Sequence, residues 1–265
     1  MKVMRDKGSD HGGTPDQDSD DRSTAQMRDN PSPIVMRPRV VVTLFAGVLA
    51  ALFVGHLIVM FMRFELGHAE IIDRLNLDAE PSLGQFTQAV LLLALAALLF
   101  AIGHRTRDLG DRYARWWIGL AVVFTYLAID EGSQLHEMSI GPLRGAFDTG
   151  GPLLFAWLIV AIPFVVMFGV VCVPFLRALP SWTRNRIVLA GLLYVAGAIG
   201  MEMLSGVWVD ARGFDATYFY LFVTIEEALE VSGLLLFLST LLSYVARMQG
   251  RVVIDIGRVR SSGGD

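Results

Sequence analysis

A chain of 265 residues that is 54% hydrophobic, with a mean hydropathy of +0.52, is too apolar for an ordinary soluble domain and points to a membrane protein. The formal net charge of −4 gives no basis for nucleic-acid binding. A single cysteine, Cys172, excludes an intrachain disulfide framework and a thiolate metal site; its apolar setting suits packing better than nucleophilic chemistry.

Residues 1–36 are rich in Asp, Ser, Gly, Pro and Arg and contain few large apolar side chains, so the composition predicts a disordered tail. The stretch is too long and too acidic for the n-region of a cleaved signal peptide. Six apolar runs come next, at about Val40–Met62, Phe86–Ile102, Trp116–Glu131, Leu153–Phe175, Ile187–Val209 and Phe219–Val245. Each approaches the ~20 residues needed to cross a bilayer as a helix. Strand-like alternation is absent, which excludes a membrane barrel. The expected fold class is therefore all-α: a polytopic six-transmembrane-helix bundle over 37–246, with a C-terminal tail at 247–265. Within it, Pro163 should kink the fourth helix, and Gly191, Ala196, Gly197 and Gly200 give the fifth a small-residue face for close helix contact.

Lys and Arg orient the bundle. Eighteen lie in the N-terminal tail up to Arg39, around Arg105–Arg115, around Arg177–Arg186, and from Arg247 onward; the alternate loops hold only Arg63, Arg74, Arg144 and Arg212. The positive-inside rule then places both termini in the cytoplasm. The expected location is a bacterial inner membrane.

With that orientation, polar residues converge. At about 1.5 Å per residue, His56, Asp130, Glu131 and Glu202 fall ~21–25 Å from the cytoplasmic side of a core about 30 Å thick. Glu226, Glu227 and Glu230 descend from the outer end of the sixth run, and Glu230 is four and three residues from the other two, so all three share one helical face. Gln85 and Gln88 enter the second run from the same side. If the third helix continues past Gly132, Asp130 and Glu137 lie two turns apart on one face. A charge in hydrocarbon costs at least ~2.5–3.5 kcal/mol on insertion scales, so these acids need a partner or a task.

Asp130, Glu131, Glu137, Glu202, Glu226, Glu227 and Glu230, with His56 and His136, have no buried Lys or Arg to neutralise them. A divalent metal ion is the natural counter-charge: iron, manganese or zinc for carboxylate with imidazole, calcium or magnesium for carboxylate alone. Protonated carboxyls hydrogen-bonded between helices are the plainer alternative. His136 and Glu137 stand at the entrance or in an ordinary loop. His56 is an extra ligand or a hydrogen-bonded bundle residue. Glu65, His68, Glu70, Asp73 and Glu80 read as a solvated outer loop. Paired Glu-x-x-His motifs, His-Glu-x-x-His, a Gly-x-Ser-x-Gly elbow and a phosphate loop are all absent.

Glu80-Pro81-Ser82-Leu83 with Gln85, then Ala128-Ile129-Asp130-Glu131 with His136-Glu137, then Thr224-Ile225-Glu226-Glu227 with Glu230 and Gly233, resemble a group of polytopic bacterial membrane proteins with no assigned activity. The resemblance covers roughly 40–246 and implies that these acidic positions belong together. A looser likeness links the chain to intramembrane metal hydrolases of the alkaline ceramidase type. Those use several metal-binding histidines, which these helices do not supply, so their zinc chemistry does not carry over.

Three functions are compatible with the pattern. An intramembrane metal-dependent enzyme would act on a lipid or lipid-linked substrate, with Asp130, Glu131, Glu202, Glu227 and Glu230 as ligands or acid–base groups. A cation or proton-coupled transporter would use the same carboxylates as a midplane site. A membrane sensor or assembly factor would use them structurally. The cytoplasmic halves of the runs are almost wholly apolar, whereas a transport path continues as polar groups to the far side. That favours a site open on one side, an enzyme or a sensor.

Overall fold

The computed structural model describes residues 38–65, 75 and 82–249. Described residues are overwhelmingly helical, with no strand among them. The helices are α1 (Pro38–Glu65), α2 (Leu83–Asp108), α3 (Ala114–Ser133), α4 (Leu135–Phe147), α5 (Leu158–Ala178), α6 (Ser181–Val195), α7 (Glu202–Arg212) and α8 (Ala216–Gln249). A short 3₁₀ turn, Gly151–Leu153, precedes α5, and a π-helical turn, Ala196–Met201, joins α6 to α7.

Five of these segments are long and apolar enough to cross a membrane: Arg39–Met62, Leu83–Asp108, Leu158–Ala178, the continuous Ser181–Arg212, and Tyr218–Arg247. The expected third span is helical as α3 but falls outside that set. Its last turn holds Asp130, Glu131 and Ser133, which dilute an otherwise apolar 20-residue helix. The polar stretch expected as a loop after it contains a further 13-residue helix, α4. Both Pro163 and Pro174 lie inside α5.

Aromatic contacts fix which helix ends meet. Phe175 at the end of α5 packs edge-on to Trp117 (4.9 Å between ring centroids) and stacks on Trp116 (5.8 Å), both at the start of α3. Trp117 also meets Tyr244 near the end of α8, at 5.2 Å. Arg186 of α6 and Arg247 of α8 cover the Trp182 ring, 4.7 and 4.1 Å from its centroid. One end of the bundle thus gathers the arginine-rich termini of α3, α5, α6 and α8. At the other end, Phe64 of α1 lies edge-on to Tyr220 of α8 at 5.9 Å.

Between these ends the buried cluster is apolar: Leu91, Leu92, Leu95 and Leu99 of α2 against Trp117 and Leu120 of α3 and Leu234, Leu238 and Leu241 of α8. In lipid such contacts are held by close packing, since a tail is as apolar as a leucine. Glycine permits the closest approaches. A Cβ on Gly103 of α2 would lie 2.7 Å from Ile118 Cγ1 of α3, and one on Gly233 of α8 would lie 2.7 Å from the Ala190 carbonyl of α6. On the expected small-residue face only Gly197 makes such a contact among its three glycines; Gly191 and Gly200 meet open space. Large apolar side chains on α5, including Val160, Val166, Met167 and Val170, remain exposed, as a lipid-facing surface requires.

α2 starts where Ser82 Oγ accepts the Gln85 backbone N–H at 3.0 Å, an ordinary N-cap that brings Gln88 into the first turns.

Candidate functional site

The acids begin in the last turn of α3. Gln134 adopts φ 55°, ψ 39°, the left-handed region, which ends α3 and starts α4. The helix therefore runs past Gly132 only as far as Ser133, and Asp130 and Glu137 are not stacked two turns apart on one continuous face. The turn instead folds His136 back onto Asp130. The His136 backbone N–H donates to Asp130 Oδ1 at 3.0 Å, and Nδ1 lies 2.9 Å from Oδ2. Asp130 thereby satisfies one of the otherwise unpaired N–H groups at the start of α4. Because a carboxylate oxygen accepts, Nδ1 carries the proton and Nε2 of the neutral ring keeps its lone pair.

Trp157, just ahead of α5, extends this pair. Its ring centroid is 5.0 Å from that of His136, and its indole N–H donates to Glu202 Oε2 at 2.5 Å. Glu202 opens α7 immediately after the π-helical turn. A π turn inserts an extra residue into the helical repeat and re-aims the side chains beyond it, a feature frequent at functional positions. The His136 and Asp130 side chains are 25% and 16% exposed, so the pair is reachable from outside. Burial lowers the proton affinity of His136, but the hydrogen bond and charge of Asp130, joined by Glu202 and Glu137, outweigh it and hold the imidazole above its ordinary 6.5.

A second group lies where α2 meets α8. Gln88 and Glu230 are both buried, and Gln88 Nε2 donates to Glu230 Oε2 at 2.7 Å. The other amide atom, Gln88 Oε1, is buried with no partner among the described residues. Glu230 is within electrostatic reach of Glu227, Glu131 and Glu226. Half-buried Tyr194 of α6 is within electrostatic reach of Glu230, Glu131, Asp130 and Glu227, members of both groups. The π turn presses on this place as well: a Cβ on Gly197 would lie 2.7 Å from Glu230 Cγ and 2.8 Å from the Glu226 carbonyl.

His56 is fully buried on α1, its Nε2 2.9 Å from Thr224 Oγ1 of α8. The Thr224 hydroxyl has one proton and gives it to the Tyr220 carbonyl at 2.6 Å, so His56 Nε2 is the donor in this contact.

The structure thus joins Asp130, His136 and Glu202, with Glu137 in electrostatic range, and sets Glu230 among Glu131, Glu226 and Glu227. His68, Glu70, Asp73 and Glu80 lie outside the described residues. Among the described residues, no group of three or more His, Cys, Asp or Glu is arranged to hold a metal ion. Two participants carry no sequence signal of their own. Trp157 reads as one more apolar residue of the fourth run, and Tyr194 as one more of the fifth.

The family described as a domain of unknown function (DUF8692) matches residues 41–245. No curated protein and no solved structure matches the chain.

Proposed function

The chain belongs to the DUF8692 family, and for it we propose an integral membrane protein of six crossings, both termini cytoplasmic, with an acid–base site in the outer half of the bilayer. The α3 helix supplies the sixth crossing, with Asp130 and Glu131 at its outer end. A bacterial inner membrane is the proposed location. The proposed activity is hydrolysis or a related group transfer on a lipid or lipid-linked substrate that reaches the site from the outer leaflet.

One observation carries this reading: an imidazole oriented through Nδ1 by Asp130, with Glu202 on the far side of Trp157 and access from the protein surface. An oriented imidazole with Nε2 free is the general-base half of such a site. In the proposed reaction, His136 Nε2 takes a proton from water or a substrate hydroxyl as that oxygen attacks the carbonyl or phosphoryl centre, and Asp130 stabilises the imidazolium. Glu202 starts protonated and gives its proton to the leaving oxygen as the bond to that centre breaks, and a proton then passes from the imidazolium to Glu202 through water. No step is routed through a metal, because among the described residues the side chains do not gather as a ligand set. The transport reading is less well supported. Towards the arginine-rich end, the buried polar side chains among the described residues are Thr106, Thr183 and Thr240, none of them ionisable.

The test is turnover of a total lipid extract by the detergent-purified protein, monitored by mass spectrometry, beside His136→Ala and Glu202→Gln. The expected result is conversion of one lipid class, reduced by about 10²-fold or more in each variant, and unchanged by chelator. Loss of turnover on chelation with recovery on adding a divalent ion would replace the acid–base reading with the metal one. No conversion of any lipid by the wild type would end the enzyme reading and move proton- or cation-flux assays forward.

A further inference from the structure

A groove of about 610 Å³ lies between α7 and α8, lined by Leu204, Val207, Trp208, Ala211, Arg212 and Phe222. Residues 204, 207, 208 and 211 match the i, i+3, i+4, i+7 pattern of one helical face. Glu202 lies two residues, or about 200°, round the helix from Leu204, so the groove faces away from the acid–base site. Gly206, one turn beyond Glu202, packs instead on the Gly151 carbonyl and Leu154.

The two polar groups of the groove are both donors without an ion-pair or hydrogen-bond acceptor among the described residues. The Arg212 guanidinium lies 4.0 Å from the Trp208 ring centroid. It has no ion pair to Asp or Glu among the described residues. The Trp208 indole N–H is buried and has no partner among them. The buried indole N–H, left open in a low-dielectric wall, is costly unless an acceptor arrives, and the exposed Arg212 guanidinium beside it supplies a positive charge for an anionic one. Arg212 is the last residue of α7, and Leu204 lies eight residues deeper, about 12 Å along the axis. The groove therefore offers two donors at the helix end and an apolar channel of Leu204, Val207, Ala211 and Phe222 below them.

We propose that this groove binds a phospholipid: its phosphodiester accepts from the Arg212 guanidinium and the Trp208 N–H, and one acyl chain lies along α7 towards Leu204. A planar guanidinium suits two oxygens of one phosphate. A membrane supplies head and tail together, whereas free phosphate would leave the apolar channel uncovered. The proposal is independent of the acid–base reading, because it uses a different face and different residues.

The test is native mass spectrometry of the full-length protein in a neutral detergent, titrated with phosphatidylglycerol, with diacylglycerol of the same chains, and with inorganic phosphate. Phosphatidylglycerol should bind one to one and at least about tenfold more tightly than either other probe, the worth of one or two charge-assisted hydrogen bonds. Arg212→Gln and Trp208→Phe should each weaken phosphatidylglycerol by about tenfold and leave diacylglycerol unchanged. Val207→Trp, which fills the channel and keeps both donors, should weaken both lipids and guards against misfolding of the charge variants. Equal binding of phosphatidylglycerol and diacylglycerol to the wild type would overturn the proposal. So would phosphate binding as tightly as the phospholipid, or wild-type phospholipid affinity in Arg212→Gln and Val207→Trp.

Discussion

Asp130 does two things with one carboxylate: Oδ1 accepts the backbone N–H that starts α4, and Oδ2 holds the imidazole of the same residue, His136. The second contact sets the proton balance. Burial disfavours the imidazolium, Asp130 favours it more, and Glu202 and Glu137 add to the same side. A histidine whose pKa is raised on folding contributes stability that is fully present below pH 6.5 and is lost as pH rises through the folded value. The His136 midpoint, measured by NMR on ring-labelled protein, should therefore lie above 6.5, and Asp130→Asn should move it down, since burial stays and the largest opposing contribution goes. An unmoved midpoint in the variant would remove Asp130 as the controlling partner. The residue types of this pair are plain in the sequence. Their contact is not, because it depends on a left-handed Gln134 that no helical periodicity anticipates; a continuous helix through Gln134 would carry His136 away from Asp130. The partner of Glu202 was hidden for another reason. An indole inside an apolar run reads as a packing residue unless one knows what its N–H faces.

At the scale of elements, the π turn at Ala196–Met201 joins the two acidic groups. It places Gly197 against the backbone of α8 at Glu226 and Glu230, and it sets the rotation with which Glu202 leaves towards Trp157. The small-residue pattern of this helix is legible in the sequence, but the pattern does not say which glycine is in contact, since an inserted residue shifts the face by roughly 100°. Gly197→Ala puts a methyl group 2.7 and 2.8 Å from a side-chain and a backbone atom of the neighbouring helix. Separating two packed helices for one methyl costs about 1–3 kcal/mol. Gly197→Ala should therefore lower the unfolding midpoint in mild detergent, while Gly191→Ala, whose new methyl meets open space, should be neutral or slightly stabilising. Equal midpoints for the two variants would mean that the Gly197 turn and α8 do not meet closely.

Over the whole molecule, most of the fold is legible in hydropathy, because a helix that must satisfy every backbone group within lipid announces its length as an apolar run. Five runs became helices long and apolar enough to span. α3 and α4 are where that logic weakens. The last turn of α3 trades apolar residues for the site's acids, and α4 is a short helix with no buried residue, whose mixed composition resembles a loop. Sidedness has a separate source in the arginine distribution, and the structure groups the ends of α3, α5, α6 and α8 with their arginines at one pole. The proposed six crossings make a definite claim about which loops face out. Cys172 is the only cysteine, so a Cys172→Ala background leaves introduced thiols as the sole targets. In intact cells an impermeant maleimide should label Asp148→Cys and Gly213→Cys, and should reach Asp111→Cys and Ser181→Cys only after permeabilisation. All four are exposed, so access depends on the membrane alone. If α3 does not cross, the 111 position and the 148 position share a side and label together. That outcome would leave Asp130 and His136 in water rather than in the outer half of the bilayer, and it would remove the reason for reading them as a site for lipids.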